Sequence, residues 1–199
     1  DLQETTILFI GEGAAQRITA VTANAGGARV QGLEVSASSR VAEWLTLSAD
    51  LGYLDAVYTD FPNASCTVLG NVQRPNCVQD MSGKRRGYAP EWTGTLAANI
   101  EVPLSDNLEL RIDPALFFTS DLFLSATADP LLKQDGFARA DLRIGIGPFD
   151  RSWEVALISR NLNDVATSSF VGPLPTSNGA TIVYPDRPRT VALAVSFKF

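Results

Sequence analysis

Side chains in this chain alternate in polarity with a period of two, over runs longer than an ordinary strand. From Arg189 to Phe199, Val191, Leu193, Val195, Phe197 and Phe199 would share one face, with Thr190, Ala192, Ala194, Ser196 and Lys198 on the other. A period of two is the signature of a β-strand with unlike faces. The same pattern recurs over Gly32–Ser38, Leu45–Tyr53, Glu91–Val102, Leu108–Phe118, Ala138–Gly147 and Trp153–Asn161. A partial strand near Asp1–Ile10 brings the expected number to about eight, and no stretch reads as a long helix.

The links between these runs alternate in length. Short ones fall near Val41–Trp44, Ser105–Asn107 and Pro148–Ser152, and long ones near Phe61–Gly87, Ser120–Gly136 and Asn163–Arg187. Strict alternation along an up-and-down meander puts every short link at one end of the sheet and every long link at the other. Greek-key sandwiches have no reason to sort their loops this way. Outer-membrane barrels do, with short periplasmic turns and long extracellular loops. Alternation alone does not say whether the apolar face is a packed interior or a lipid-facing wall. Runs of ten or more residues favour the wall, since soluble strands average five or six and a tilted transmembrane strand needs about nine to eleven. Aromatic residues near the run ends point the same way: Trp44, Trp153, Phe197 and Phe199 at the short-turn end, and Tyr58, Tyr88 and Phe118 towards the long loops. They suggest two interfacial girdles.

Composition removes other classes. The net charge is −6, so clustered cationic contacts to nucleic acid are not expected. Histidine, the commonest neutral-pH base and metal ligand, does not occur. Two cysteines do not make a four-ligand zinc site. No run of 18 apolar residues encodes a membrane helix. G-x-S-x-G, H-E-x-x-H and glycine-rich phosphate loops are likewise missing from the sequence. The chain therefore reads as a non-enzyme with no cofactor and no resident metal.

Several segments carry a family resemblance. Asn24-Ala25-Gly26 through Val30-Gln31-Gly32-Leu33-Glu34, Leu47–Tyr53 with Asp55 and Tyr58, Gly83–Trp92 (GKRRGYAPEW), Asn161-Leu162-Asn163-Asp164 and the terminal Phe199 with Phe197 stand in order along nearly the whole chain. In that order they resemble the C-terminal part of the barrel of a TonB-dependent outer-membrane receptor. The resemblance implies an all-β, antiparallel, up-and-down transmembrane barrel, of which residues 1–199 would be the C-terminal strands of a large, 22-stranded whole. The plug domain and TonB box of such receptors have no counterpart in this sequence, so the chain is expected to be a portion of a longer protein. The implied function is TonB-energised uptake of a scarce nutrient, by default a ferric siderophore, with vitamin B12, oligosaccharides and other metal chelates open. Implied partners are outer-membrane lipid and lipopolysaccharide, TonB–ExbB–ExbD acting through the plug, and the barrel-assembly machinery, which would read Phe197 and Phe199. The implied location is the outer membrane of a Gram-negative bacterium.

Candidate residues follow from this placement. Cys66 and Cys77 lie in the longest loop. In an oxidising extracellular setting they are expected to form a disulfide; the alternative is two thiols binding a soft metal, for which no partners are visible. Lys84, Arg85 and Arg86, where that loop re-enters a strand, are candidates for contact with an anionic ligand or with lipopolysaccharide phosphates. Glu109, Arg111, Asp113, Arg139, Asp141 and Arg143 are expected to face the lumen, pairing across strands or meeting plug or substrate. Arg111 with Asp141, and Glu109 with Arg143, are the pairs the pattern offers. Two other architectures remain. A complete eight-stranded outer-membrane barrel with a structural or adhesion role requires Asp1–Ile10 to pair with the last strand. A soluble sandwich or lipocalin-like binder requires a water-soluble monomer with unsorted loops.

Overall fold

The computed structural model of the chain describes residues 3–10, 17–174 and 179–198. Its strands are β1 (Gln3–Ile10), β2 (Arg17–Asn24), β3 (Gly27–Ala42), β4 (Leu45–Asp60), β5 (Ala64–Ser65), β6 (Val78–Gln79), β7 (Trp92–Ser105), β8 (Leu108–Thr119), β9 (Leu122–Phe123), β10 (Lys133–Gln134), β11 (Phe137–Gly147), β12 (Trp153–Arg160), β13 (Ser168–Pro173), β14 (Thr181–Pro185) and β15 (Thr190–Phe197). One helix, α1 (Val68–Gln73), and a 3₁₀ turn at Pro130–Leu132 lie in the loops. No described helix is long and apolar enough to cross a membrane.

Seven strands form one antiparallel sheet in the order β3-β4-β7-β8-β11-β12-β15, an uninterrupted meander. The turns at β3–β4, β7–β8 and β11–β12 lie at one end and the long loops at the other, as the link lengths require. Register aligns the apolar positions into rows. Leu45 faces Ile100, Ile100 faces Ile112, Ile112 faces Ile144, Ile144 faces Leu157 and Leu157 faces Leu193. A shift of one residue at any pairing would send that row to the opposite face, so the pattern fixes the register.

The apolar face is the exposed one. Val191 is 62% accessible, Leu193 71% and Phe197 66%, and Leu33, Leu47, Leu51, Leu96, Leu116 and Leu157 join them. On the opposite face, Glu109 and Arg111 are 7% and 5% accessible. A soluble protein does not leave an apolar surface of this extent bare while burying its charges. Hydrocarbon is the solvent that suits it. The sheet is therefore a transmembrane barrel wall, and β3 and β15 are its open edges among the described residues.

Three expectations change. The partial strand near Asp1–Ile10 is not an eighth strand of the sheet: β1 pairs with β2 along its whole length, in a hairpin at the long-loop end. The pairing with β15 that a complete eight-stranded barrel requires is not formed. Tyr58 is not part of a girdle. It is buried against Phe61 at the loop end, 4.9 Å between ring centroids, whereas Tyr53 and Trp92 make the outward aromatic pair at that level, also 4.9 Å apart. Finally, β3 and β4 each run 16 residues, past the alternating stretch. Asp55, on the outward parity with Tyr53, accepts hydrogen bonds from Arg29 and Gln31, each 3.0 Å. That polar cluster marks where the strands leave the apolar layer, beyond which alternation has no cause to persist.

Two resembling segments now have physical reasons. In Asn24-Ala25-Gly26, Ala25 packs in the core with Tyr58, Phe61, Ala64 and Met81, and Gly26 turns the chain at φ +70° with no room for a Cβ beside the Asp60 carbonyl. In Asn161-Leu162-Asn163-Asp164, side chains replace the missing ladder. Asn161 accepts from the Val165 N–H, Asn163 from the Ala140 N–H and Asp164 from the Arg189 N–H, at 2.9, 3.0 and 2.9 Å. Asn161 and Asp164 adopt positive φ, which Asn and Asp tolerate better than bulkier residues.

Candidate functional site

Two regions bear polar chemistry: the inner face of the sheet and the cluster of long loops above it. On the inner face, register places Arg111 opposite Gly145 and Arg143 opposite Asp113. Arg111 Nε donates to Glu109 Oε1 at 2.6 Å, and its Nη1 lies 3.4 Å from Glu154 Oε1. Arg143 donates to the other Glu154 oxygen and lies 3.6 Å from Asp113, which accepts from Asn99 at 2.7 Å. The chain Glu109–Arg111–Glu154–Arg143–Asp113–Asn99 thus ties β7, β8, β11 and β12 together. It needs a strand position without a side chain, because a Cβ on Gly145 would stand 2.4 Å from Glu154 Oε1.

The expected pairs are displaced by this register. Asp141 faces Ala115 rather than Arg111, and binds Arg160 at 2.8 Å and the Asn161 N–H at 2.9 Å. Glu109 faces Gly147 rather than Arg143. Arg139 stands over the Phe117 ring, 5.8 Å from its centroid. Sequence reasoning did not single out Glu154, the carboxylate that joins the two arginines, as a hub; only the three-strand register shows it.

The loops form a second packed layer. Cys66 and Cys77 are disulfide-bonded, with Cα atoms 5.6 Å apart, and enclose α1. In the chain-entropy account, closing so short a loop contributes about 3 kcal/mol to its order. Thr67 caps α1 by accepting the Gly70 N–H. Asp129, from the next loop, accepts the Val68 N–H at 2.6 Å and the Leu131 N–H at 2.9 Å. Tyr88 donates to the Leu124 carbonyl at 2.7 Å, Gln79 to that of Thr127 at 3.1 Å, and the Ser168 N–H donates to Gln134 at 3.0 Å. All three long loops are therefore stitched together. Withdrawal of the Tyr88 hydroxyl from water, and then the charge of Glu4, push its pKa upward. Ser82, donating to Asp80, holds that carboxyl below the usual range.

Between these loops lies a cavity of about 420 Å³, lined by Val68, Asn71, Leu124, Leu132, Phe170 and Val171 among others. The basic cluster Lys84, Arg85 and Arg86 does not line it and is engaged elsewhere. Arg86 binds Glu4 at 2.6 Å and lies over Tyr58, Arg85 bonds to Asp121, and Lys84 is exposed. Phe197 faces outward opposite Trp153 at the short-turn end; Phe199 lies outside the described residues. Among the described residues, no group of three His, Cys, Asp or Glu side chains is placed to hold a metal ion.

The sequence matches no protein-family model and no curated protein. Solved structures do share its fold. The ferric yersiniabactin uptake receptor FyuA from Yersinia pestis aligns at a TM-score of 0.69 and 17% identity, over 92% of this chain and 27% of that one. The siderophore receptor PiuA from Acinetobacter baumannii aligns at 0.64 and 16% identity, over 86% of this chain and 22% of that one. The resemblance read from the sequence is thus upheld at the level of fold, and the chain spans about a quarter of the length of these structures.

Proposed function

We propose that residues 1–199 are the C-terminal portion of the barrel of an outer-membrane receptor that takes up a scarce nutrient, most simply a ferric siderophore, with energy delivered through TonB. The observation that carries this reading is a fold shared, over 92% and 86% of the chain, with a ferric yersiniabactin uptake receptor and a siderophore receptor. The polarity inversion of the sheet and the stitched loop layer suit it: the wall sits in lipid, and the loops are built to hold a shape. On this reading Phe197 and Phe199 are read by the barrel-assembly machinery, lipid and lipopolysaccharide surround the outer face, and TonB–ExbB–ExbD acts through a plug encoded elsewhere. Lys84 is the member of the basic cluster left to meet an anionic ligand or lipopolysaccharide phosphate.

The test is uptake of iron-55 from a panel of ferric siderophores by cells expressing the whole protein in a receptor-deficient host. Saturable uptake of at least one chelate, lost when tonB is deleted, is the expected result. Uptake that rises linearly with concentration and ignores tonB deletion would overturn the proposal.

A further inference from the structure

The loop-side end of the inner face carries more positive charge than its carboxylates use. A recess of about 450 Å³ opens there, lined by Arg139, Asp141, Arg160, Asp186 and Arg187 among others. That volume lies within the range of small-molecule pockets. Register puts Arg139 opposite Phe117 and Arg160 opposite Thr190 on the inner face. Arg187 stands just before β15, at the rim. Three guanidiniums against two carboxylates leave the recess positive, in a chain whose net charge is −6.

Both carboxylates are committed. Asp141 accepts from Arg160 Nη1 at 2.8 Å and from the Asn161 N–H at 2.9 Å, and Asp186 accepts the Thr167 hydroxyl at 2.7 Å. Arg139 and Arg187 are not. The Arg139 guanidinium lies over the Phe117 ring, and neither it nor that of Arg187 has an ion-pair or hydrogen-bond partner among the described residues. Farther from the loops on the same face, Arg111 and Arg143 each meet two carboxylates. The backbone that presents Arg187 is fixed. Its carbonyl accepts from Asn161 Nδ2 at 3.4 Å, and on either side the Asp186 N–H donates to the Thr167 carbonyl and the Arg189 N–H to Asp164, both at 2.9 Å. Pro188 keeps Arg187 out of the helical region. Donors held this way lower the ordering cost of binding.

We infer that this recess binds a small molecule bearing at least two carboxylate groups, one received by Arg139 and one by Arg187. A planar guanidinium matches a carboxylate with two parallel N–H donors. The Arg160 side chain, 69% accessible and bound to Asp141 through Nη1, has N–H groups to spare. A neutral molecule would leave both free charges unanswered, and a cation would be repelled. As in the proposed function, this face is taken as the wet lumen and its loop end as the outer mouth, and the site rests on that reading.

The test uses the whole protein in detergent micelles, with propane-1,2,3-tricarboxylate as probe and its trimethyl ester as the uncharged counterpart. Binding is followed by saturation-transfer NMR titration. The tricarboxylate is expected to bind, more weakly as salt is raised, and the ester not measurably. Arg139→Gln and Arg187→Gln are each expected to weaken binding about tenfold, the loss of a charge-assisted pair. Arg151→Gln, at the short-turn end, removes the same charge and is expected to change binding by less than about twofold. Heat-modifiable gel migration reports that each variant is a folded barrel. Binding of the ester as tight as that of the acid, or an equal loss in Arg151→Gln, would overturn the inference. So would full binding in folded Arg139→Gln and Arg187→Gln, or no binding at all, as when an acidic side chain from elsewhere in the whole protein fills the recess. These readouts do not involve TonB, and uptake of an uncharged chelate would leave the uptake proposal standing while this site fails.

Discussion

Leu96→Arg is expected to destabilise the folded protein in a bilayer by about 2–4 kcal/mol, the cost of a cationic side chain near the midplane on the lipid face of a barrel. Leu96 sits on the apolar side of β7, paired with Ala49 and Leu116 in neighbouring strands, and is 44% accessible. Its neighbour Thr95 lies at almost the same depth on the other face, opposite Asp50. Thr95→Arg is expected to change stability by less than about 1 kcal/mol, since it adds a charge to an already polar wall beside a carboxylate. Urea unfolding of the whole protein in lipid vesicles gives both values. A soluble sheet with this exposed face would respond differently. Leu96→Arg would then replace one solvent-exposed side chain with another and cost little. Equal, small effects for the two substitutions would therefore remove the lipid-facing assignment.

The second large effect is expected at Arg111. Its guanidinium is the only cation within ion-pair reach of Glu109 among the described residues, and one of two on Glu154. With Arg111 at 5% accessibility, Arg111→Met leaves the Glu109 carboxylate buried and unpaired. Breaking one side of a buried pair typically costs 3–5 kcal/mol. Here the loss is expected near about 3 kcal/mol, because Arg143 still holds Glu154. Adding Glu109→Gln removes the stranded charge and should recover much of that loss. Arg111→Lys should not, as a single ammonium does not bridge two carboxylates from the position of a planar fork. Arg151, paired with Glu101 but with a side chain 63% accessible, provides the comparison: Arg151→Ala is expected to cost less than about 1 kcal/mol. The melting midpoint in detergent, measured for all four variants, orders them.

The parts of this fold that were legible from sequence are those in which one physical constraint acts on every residue. Between Leu45 and Tyr53 each side chain meets either lipid or lumen, so polarity alternates and the strand can be read directly. From Leu54 to Asp60 the same strand leaves the apolar layer, the constraint lapses, and its continuation is invisible to a period-two reading. For the same reason Tyr58 looks like a girdle residue in one dimension, yet its parity puts it on the inner side. The loops hide more. Asp129-Pro130 carries a capping residue followed by a proline suited to a first helical turn, which signals the 3₁₀ turn. That Asp129 also caps α1 from 61 residues away has no sequence signal. Ion pairs fared as strand register allowed. The charges stand on the expected face, but partner choice depends on a four-residue offset between β8 and β11 and on Glu154 arriving from β12. The cavity belongs to this hidden class, because its wall is assembled from three loops remote in sequence.

Which face of the sheet meets lipid is measured most directly by site-directed spin labelling along β4. Labels would be placed singly from Thr46 to Leu51 in the whole protein in lipid vesicles, and their collision rates with oxygen and with a water-soluble nickel chelate compared. The expected result is a period of two, with Leu47, Ala49 and Leu51 favouring oxygen and Thr46, Ser48 and Asp50 favouring the chelate. A flat profile, or one with the two sets exchanged, would contradict the transmembrane wall and everything built on it.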